Sequence, residues 1–393
     1  MRVILNGVST LKPKTGVGHT TANLHRALTE RAGPDDSFWL YPGRAVARLA
    51  GRLVGRPGGG SQGGPASGFK DRLKDGAKAA YRAHLRAAAR WGGFDLYHEP
   101  NFVPVRTHLP TVVTVHDLSV VLYPEWHPAD RVAFHTRHFE AGLRQADHVV
   151  VVSESVRREL IAHLGFPADR VTAVLNGISE TFRPQPPKAV ADLRARLRLP
   201  ARYVLAVGTI EPRKNLLTLL RAFCDLPAGL REACPLVLAG GWGWKSEPER
   251  AFFEAEARAK GVRHLGYVAD ADLPGLYAGA AALAYPSFYE GFGLPPIEML
   301  ATGGKVIAST ADAVREVVGG HARLIDPLDL AGWRDAFRAI ASDRASLDSD
   351  RAGGIAHARR FTWTAAADRT RAVYRSVLGL AAPAAATSLR PAA

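Results

Sequence analysis

Two sets of six short apolar runs, separated by helical stretches and divided by one proline-rich break, constrain this chain of 393 residues more than any other feature. The first set lies at 3–5, 39–41, 96–97, 111–115, 148–152 and 171–174. The second lies at 203–207, 236–239, 262–265, 281–285, 305–308 and 322–324. Short, continuous apolar runs suit parallel strands buried on both faces, and the intervening helices supply the crossovers that parallel strands need. Between the sets, Phe182-Arg183-Pro184-Gln185-Pro186-Pro187-Lys188 reads as a stiff linker. The pattern predicts an α/β chain of two doubly wound domains, 1–184 and 189–356, facing each other across a cleft. A last helical pattern over 357–378, carrying Phe361, Trp363, Val373 and Tyr374, is expected to pack back on the first domain. The alanine- and proline-rich 379–393 is expected to be a disordered tail.

Ligands of such sheets bind beyond the carboxyl ends of the strands, and the polar motifs of this chain gather there. After the run at 281–285 comes Glu290-Gly291-Phe292-Gly293-Leu294-Pro295-Pro296-Ile297-Glu298. Proline suits the first helical turn, so a helix is expected to start near Pro295 or Pro296, with Glu298 in its first turn and Glu290 on the loop before it. The amides of Phe292, Gly293 and Leu294 would then stay free at the positive end of the helix dipole. An anion site between two carboxylates matches a sugar nucleotide, a diphosphate between two polyols. A glutamate near a helix start is common for dipole reasons alone; the glycines and both carboxylates together carry the functional reading.

Arg213 and Lys214 follow the run at 203–207, at the start of a helix expected near Asn215. Cations there would neutralise a departing diphosphate more strongly in the transition state than in the ground state. His116-Asp117 ends the run at 111–115, where His116 can donate to a sugar hydroxyl and Asp117 can cap or orient a loop. Gly16-Val17-Gly18 precedes a helix expected from about Thr20, and lets backbone approach a phosphate closely. It does not complete a dinucleotide fingerprint: position 21 is Thr, and no carboxylate ends the run at 39–41. That argues against a nicotinamide oxidoreductase. No paired-cysteine, His-Glu-x-x-His or Asp-x-Asp motif offers a metal site, and no metal or other cofactor is expected.

The formal charge is +14, and its distribution is uneven. Between Arg44 and Arg90 stand eleven Lys/Arg against Asp71 and Asp75, or +9. Phe69, Leu73, Ala77, Tyr81, Leu85 and Ala88 recur there at helical spacing, which predicts an amphipathic basic helix suited to anionic lipid, with Gly58–Gly64 as a hinge upstream. A solvated helix face is the competing reading. Nucleic acid is not an expected partner, because aromatic residues do not interleave with these charges. Cys224 and Cys234 are too few for a disulfide framework, and no apolar run approaches the length that spans a bilayer. A cytoplasmic protein, peripheral on the inner face of the plasma membrane, is expected.

At this point the chain resembles a known family. Gly208-Thr209-Ile210-Glu211-Pro212-Arg213-Lys214-Asn215, Ala239-Gly240-Gly241-Trp242-Gly243-Trp244-Lys245, Gly266-Tyr267-Val268 and the block from Tyr289 to Glu298 are similar to the family-four retaining glycosyltransferases of the two-Rossmann GT-B fold. The likeness runs from about residue 1 to 378. Within the family it leans toward bacterial hexosyltransferases, α-mannosyltransferases that use GDP-mannose and a polyprenyl-diphosphate-linked oligosaccharide, such as a cellobiosyl one, in exopolysaccharide or O-antigen assembly. A UDP-sugar donor, an O-antigen acceptor, and an epimerase or phosphorylase of the same fold are the alternatives. The resemblance implies that Glu290 binds sugar hydroxyls, Glu298 the donor ribose, and Phe292, Gly293 and Leu294 offer amides. It implies that Arg213, Lys214 and the Gly16 amide meet the diphosphate, that His116 acts near the reacting centre, and that Tyr267 and Val268 meet the base through backbone. Trp242–Lys245 would border the nucleotide. Gly303-Gly304-Lys305 departs from the commoner family pattern in a local turn, and Thr209, where some relatives carry an arginine, leaves phosphate binding more heavily on Arg213 and Lys214.

Overall fold

A computed structural model describes residues 1–11, 16–43, 67–342 and 350–381. The expected hinge at 58–64, and the expected tail from 382 onward, lie outside these residues. The described chain forms two six-stranded sheets in which every pairing is parallel. The first sheet contains β1 (Arg2–Asn6), β2 (Ser37–Tyr41), β3 (Leu96–Glu99), β4 (Thr111–Val115), β5 (His148–Val151) and β6 (Val171–Ala173), in the order β2-β1-β3-β4-β5-β6. The second contains β7 (Val204–Val207), β8 (Leu236–Ala239), β9 (Arg263–His264), β10 (Ala282–Tyr285), β11 (Val306–Ser309) and β12 (Arg323–Ile325), in the order β12-β11-β10-β7-β8-β9. Each expected apolar run is a strand.

β3 extends two residues beyond the expected run at 96–97. It continues through His98 and Glu99, two polar residues that are nonetheless buried. Tertiary partners satisfy both. His98 bonds Tyr374 Oη at 2.6 Å and Thr114 Oγ1 at 2.8 Å, and Glu99 accepts from Asn6 Nδ2 and Tyr97 Oη, both at 2.6 Å. Burial pushes the His98 imidazole down to about 3 and the Glu99 carboxyl up to about 7.

The final helical pattern is broken in two, Arg351–Ala358 and Trp363–Val377. Thr362 restarts it, its side chain accepting from the Ala365 amide. The restart turns the chain back onto the first domain: Ile178 donates to Phe361 O, and Trp363, Ala367 and Tyr374 join a core with Val3, Leu5, Leu96 and Val112. The basic helix runs Ser67–Trp91. It packs on the other face of the sheet through Tyr81, Leu85 and Ala89, and leaves Arg82, Arg86 and Arg90 exposed. Ala77, expected on the apolar side, is exposed, while Tyr81, one turn further on, packs against the core. No helix among the described residues is long and apolar enough to cross a membrane.

Tyr374→Phe tests the returning helix. It removes one partner of a fully buried imidazole, so stability is expected to fall by about 1–3 kcal/mol. Urea unfolding would show this as a lower midpoint, and an unchanged midpoint would contradict it.

Candidate active site

The loops beyond β4, β7 and β10 meet in the cleft. The turn after β7 is a single 3-10 turn, Pro212–Lys214, closed by Asn215 in the left-handed region (φ 53°), so the following helix begins at Leu216. Asparagine tolerates that conformation. Its buried amide also donates to Pro286 O at 3.0 Å and Pro327 O at 2.7 Å, which fixes the turn against two neighbouring loops. Phe288 N donates to Arg213 O, stitching the turn to the segment that carries Glu290.

Glu290 joins the two cations directly. Its Oε2 accepts from Arg213 Nη1 at 2.6 Å; its Oε1 accepts from Lys214 Nζ at 2.5 Å and Tyr285 Oη at 2.7 Å. Glu211 Oε1 takes the rest of the Arg213 guanidinium, at 2.8 Å from Nη2 and 3.2 Å from Nε. These cations are therefore engaged rather than standing free: Arg213 and Lys214 keep only 13% and 18% side-chain exposure. Burial alone would raise the Glu290 carboxyl, but the charges of Arg213 and Lys214 outweigh it and hold the group at about 2. Burial lowers the Lys214 ammonium, with Glu290 opposing. Beside Lys214 is a partly open pocket of about 390 Å³, lined also by Gly208, Thr209, Tyr285 and Ser287. Among the described residues, the buried Glu211 Oε2 has no hydrogen-bond partner.

The helix after Glu290 runs Leu294–Ala301, one residue earlier than expected, because Gly293 caps it at φ 108°, a conformation that favours glycine. Glu298 consequently leaves the first turn, and the helix-dipole reading of this residue weakens. The prolines at 295 and 296 have no N–H, so the free amides of this helix start are those of Phe292, Gly293 and Leu294, which donate to no protein group among the described residues. Glu298 Oε2 accepts from Tyr277 Oη at 2.7 Å. Burial, with help from Asp270 and against the Tyr277 bond, pushes its carboxyl up to about 7.

From the first domain, His116 lies across from Glu290. Its Nε2 is 2.8 Å from Pro100 O, a carbonyl that only accepts, so Nε2 carries the hydrogen and Nδ1 is a bare acceptor. Burial lowers its pKa and keeps the ring neutral. The His116 carbonyl packs on Gly291, where any Cβ would collide with it. Ser153 Oγ donates to Gly291 O at 2.7 Å, and Glu316 accepts from the Glu154 and Ser155 amides at 2.9 Å. Sequence reasoning singled out none of Tyr285, Ser153 and Glu316. Ser153 carries a helix-cap signal, whereas its partner 138 residues away leaves none.

The remaining expected residues occupy the same cleft less closely. Gly16 is the first residue of the helix Gly16–Glu30, four residues before the expected start, and no described residue crowds it. His19 of that helix lies 3.7 Å from Asp270, opposite the loop of Tyr267 and Val268. Tyr267 is 73% exposed. The segment 242–245, expected to border the nucleotide, also reaches the first domain. Trp242 packs on Phe253 and His264, while Trp244 Nε1 donates to Trp126 O at 3.0 Å and Lys245 Nζ to Glu125 O at 2.7 Å. Arg131 lies 4.0 Å from the Trp244 ring, so this segment clasps the first domain.

Comparison with known proteins agrees with this architecture. Residues 15–182 match the family model Glycosyltransferase Family 4, and residues 192–353 match Glycosyl transferases group 1. The chain is 36% identical over 285 residues to O-antigen chain mannosyltransferase B of Escherichia coli, covering 71% of this chain and 74% of that one. It is 30% identical over 265 residues to the serotype-specific mannosyltransferase WbdA of Escherichia coli, of whose length it spans 32%. In fold it is similar to Anabaena Alr3699/HepE, solved in complex with UDP-glucose, with a TM-score of 0.70 at 19% identity over 95% of this chain and 99% of that one.

Gly291→Ala should cost the closed arrangement about 1–3 kcal/mol through overpacking. Small-angle scattering is expected to show a larger radius of gyration. A profile superposable on that of the parent would contradict the close approach.

Proposed function

This chain belongs to the group 1 and family 4 glycosyltransferases, and from that premise we propose that it is a retaining α-mannosyltransferase. Its donor is GDP-mannose and its acceptor a polyprenyl-diphosphate-linked oligosaccharide, at the inner face of a membrane. The observation that carries the reading is the cluster of Arg213, Lys214 and Glu290 beside the free amides of Phe292, Gly293 and Leu294. The 36% identity to a mannosyltransferase of O-antigen chains supports the sugar. The exposed row Arg82, Arg86 and Arg90 supports docking on anionic lipid.

In this reading the donor diphosphate displaces Glu290 from the two cations. Arg213, Lys214, the three amides and the Gly16 end of its helix then surround the anion, with no metal required. The released carboxylate accepts from mannose hydroxyls. As the bond from the anomeric carbon to the phosphate oxygen breaks, the acceptor oxygen bonds that carbon on the same face, and its proton passes to the departing diphosphate. His116 offers Nδ1 to a sugar hydroxyl beside the reacting carbon. Glu298 takes the ribose hydroxyls, and the backbone of Tyr267 and Val268 meets the base.

Purified protein, GDP-mannose and UDP-glucose in parallel, and cellobiosyl and mannosyl lipid diphosphates in anionic vesicles provide the test. Transfer from GDP-mannose with an α-linked product is expected. Transfer only from UDP-glucose would overturn the donor, and vesicle binding unchanged by neutralising Arg82, Arg86 and Arg90 would overturn the docking. Glu290→Ala and Lys214→Ala are each expected to lose at least about 100-fold in kcat, and near-parental rates would remove their assigned roles.

Glu298 predicts a pH dependence. Its folded pKa is about 7, raised above the usual carboxylate range, so the fold favours the protonated form. The accompanying stability is present at low pH and is lost as pH rises toward 7. Ribose binding uses the ionised form, so GDP affinity by calorimetry should rise by up to about tenfold per pH unit below that pKa and level off above it. Glu298→Gln should flatten this slope, and a slope that survives the substitution would count against the assignment.

A further inference from the structure

Tyr289 is assigned no part in the site above, yet it is bonded to both halves of it. Its phenol oxygen accepts from the Leu118 amide at 3.0 Å, and its O–H donates to Glu159 Oε2 at 2.6 Å; both partners belong to the first domain. Its main-chain carbonyl accepts from Arg213 Nη1 at 3.1 Å, and the next residue in the chain is Glu290. Leu118 is two residues beyond His116, and the turn between them is fixed by Asp117 Oδ1, which accepts from Ser119 N at 2.9 Å and Ser119 Oγ at 2.6 Å. The ring is buried and packs on Tyr123, with centroids 5.4 Å apart. By contrast, the Tyr285 hydroxyl bonds only inside its own domain, to Lys214 and Glu290.

We propose that Tyr289 is a positioning residue, whose hydroxyl sets the separation between the His116–Asp117 turn and the Arg213–Glu290 pair. The proposal rests on the transferase reading, in which acceptor and donor carbon are held on opposite sides of that separation. Two hydrogen bonds at one oxygen, one accepted and one donated, define a position in a way that an apolar ring cannot. A small displacement between reacting groups costs rate rather than donor affinity.

Tyr289→Phe keeps the ring and removes both bonds. Glu159→Ala removes one of them, and Glu159→Gln keeps an oxygen able to accept it. All three are compared with the parent in kcat and in GDP and UDP binding by calorimetry. Tyr289→Phe and Glu159→Ala are expected to lose about 10-fold in kcat, with nucleotide affinity within about twofold, and Glu159→Gln to recover most of the loss. The proposal is overturned by kcat within about twofold of parent in Tyr289→Phe, by nucleotide affinity falling in step with kcat, or by Glu159→Gln performing no better than Glu159→Ala. Should Tyr289→Phe not fold, the two Glu159 variants decide by the same criteria. Assays run with both GDP-mannose and UDP-glucose, so a wrong donor shows in the parent, whereas a wrong role for Tyr289 shows only in the variants.

Discussion

One carboxylate gripping two cations organises the cleft. Glu290 neutralises Arg213 and Lys214 at 2.6 and 2.5 Å in a setting where any of the three alone would carry a large desolvation cost. Glu211 completes a cluster of two cations and two carboxylates. In such a cluster each cation has a carboxylate partner that another anion can replace. An anion of higher charge than a carboxylate competes for the same donors, and the carboxylate it displaces becomes an acceptor for hydroxyls a few ångströms away. In the transferase reading, the interaction that holds the two cations is therefore the one exchanged when the donor binds.

The cluster matters only if the two domains meet in register, and the structure secures that at several levels. The C-terminal helix returns across the linker and completes the first domain's core with Trp363, Ala367 and Tyr374. Main-chain contact at Gly291 sets how closely His116 approaches. Polar bonds from Ser153, Tyr289 and Glu316, with the Trp244 and Lys245 clasp, then add direction to an interface that apolar packing alone would leave free to slide.

Much of the scaffold was legible in the sequence, because parallel strands buried on both faces leave continuous apolar runs and a proline-rich segment marks the linker. Legibility failed where a residue's role depends on a distant partner. The apolar run at 96–97 stops short of His98 and Glu99 because both are polar; Tyr374, Thr114 and Asn6 make them interior. The helix after Glu290 starts one residue early, since the left-handed Gly293 rather than a proline caps it. Trp244 stands in a glycine-rich turn beside the expected nucleotide site, but its bonding partner lies 118 residues away in the other domain.

The sequence by itself determined which residues could carry charge to the carboxyl ends of the strands: Arg213, Lys214, Glu290, Glu298 and His116 all follow or flank apolar runs. It did so because strand and helix periodicities are local and the site lies at their boundaries. Only the tertiary structure decided how those charges are spent. That Glu290 holds both cations, that the Glu298 carboxyl is raised to about 7, and that Tyr289 bridges the domains are consequences of burial and distance. Coulomb energies and desolvation depend on separations in space, which residue spacing along a chain does not specify.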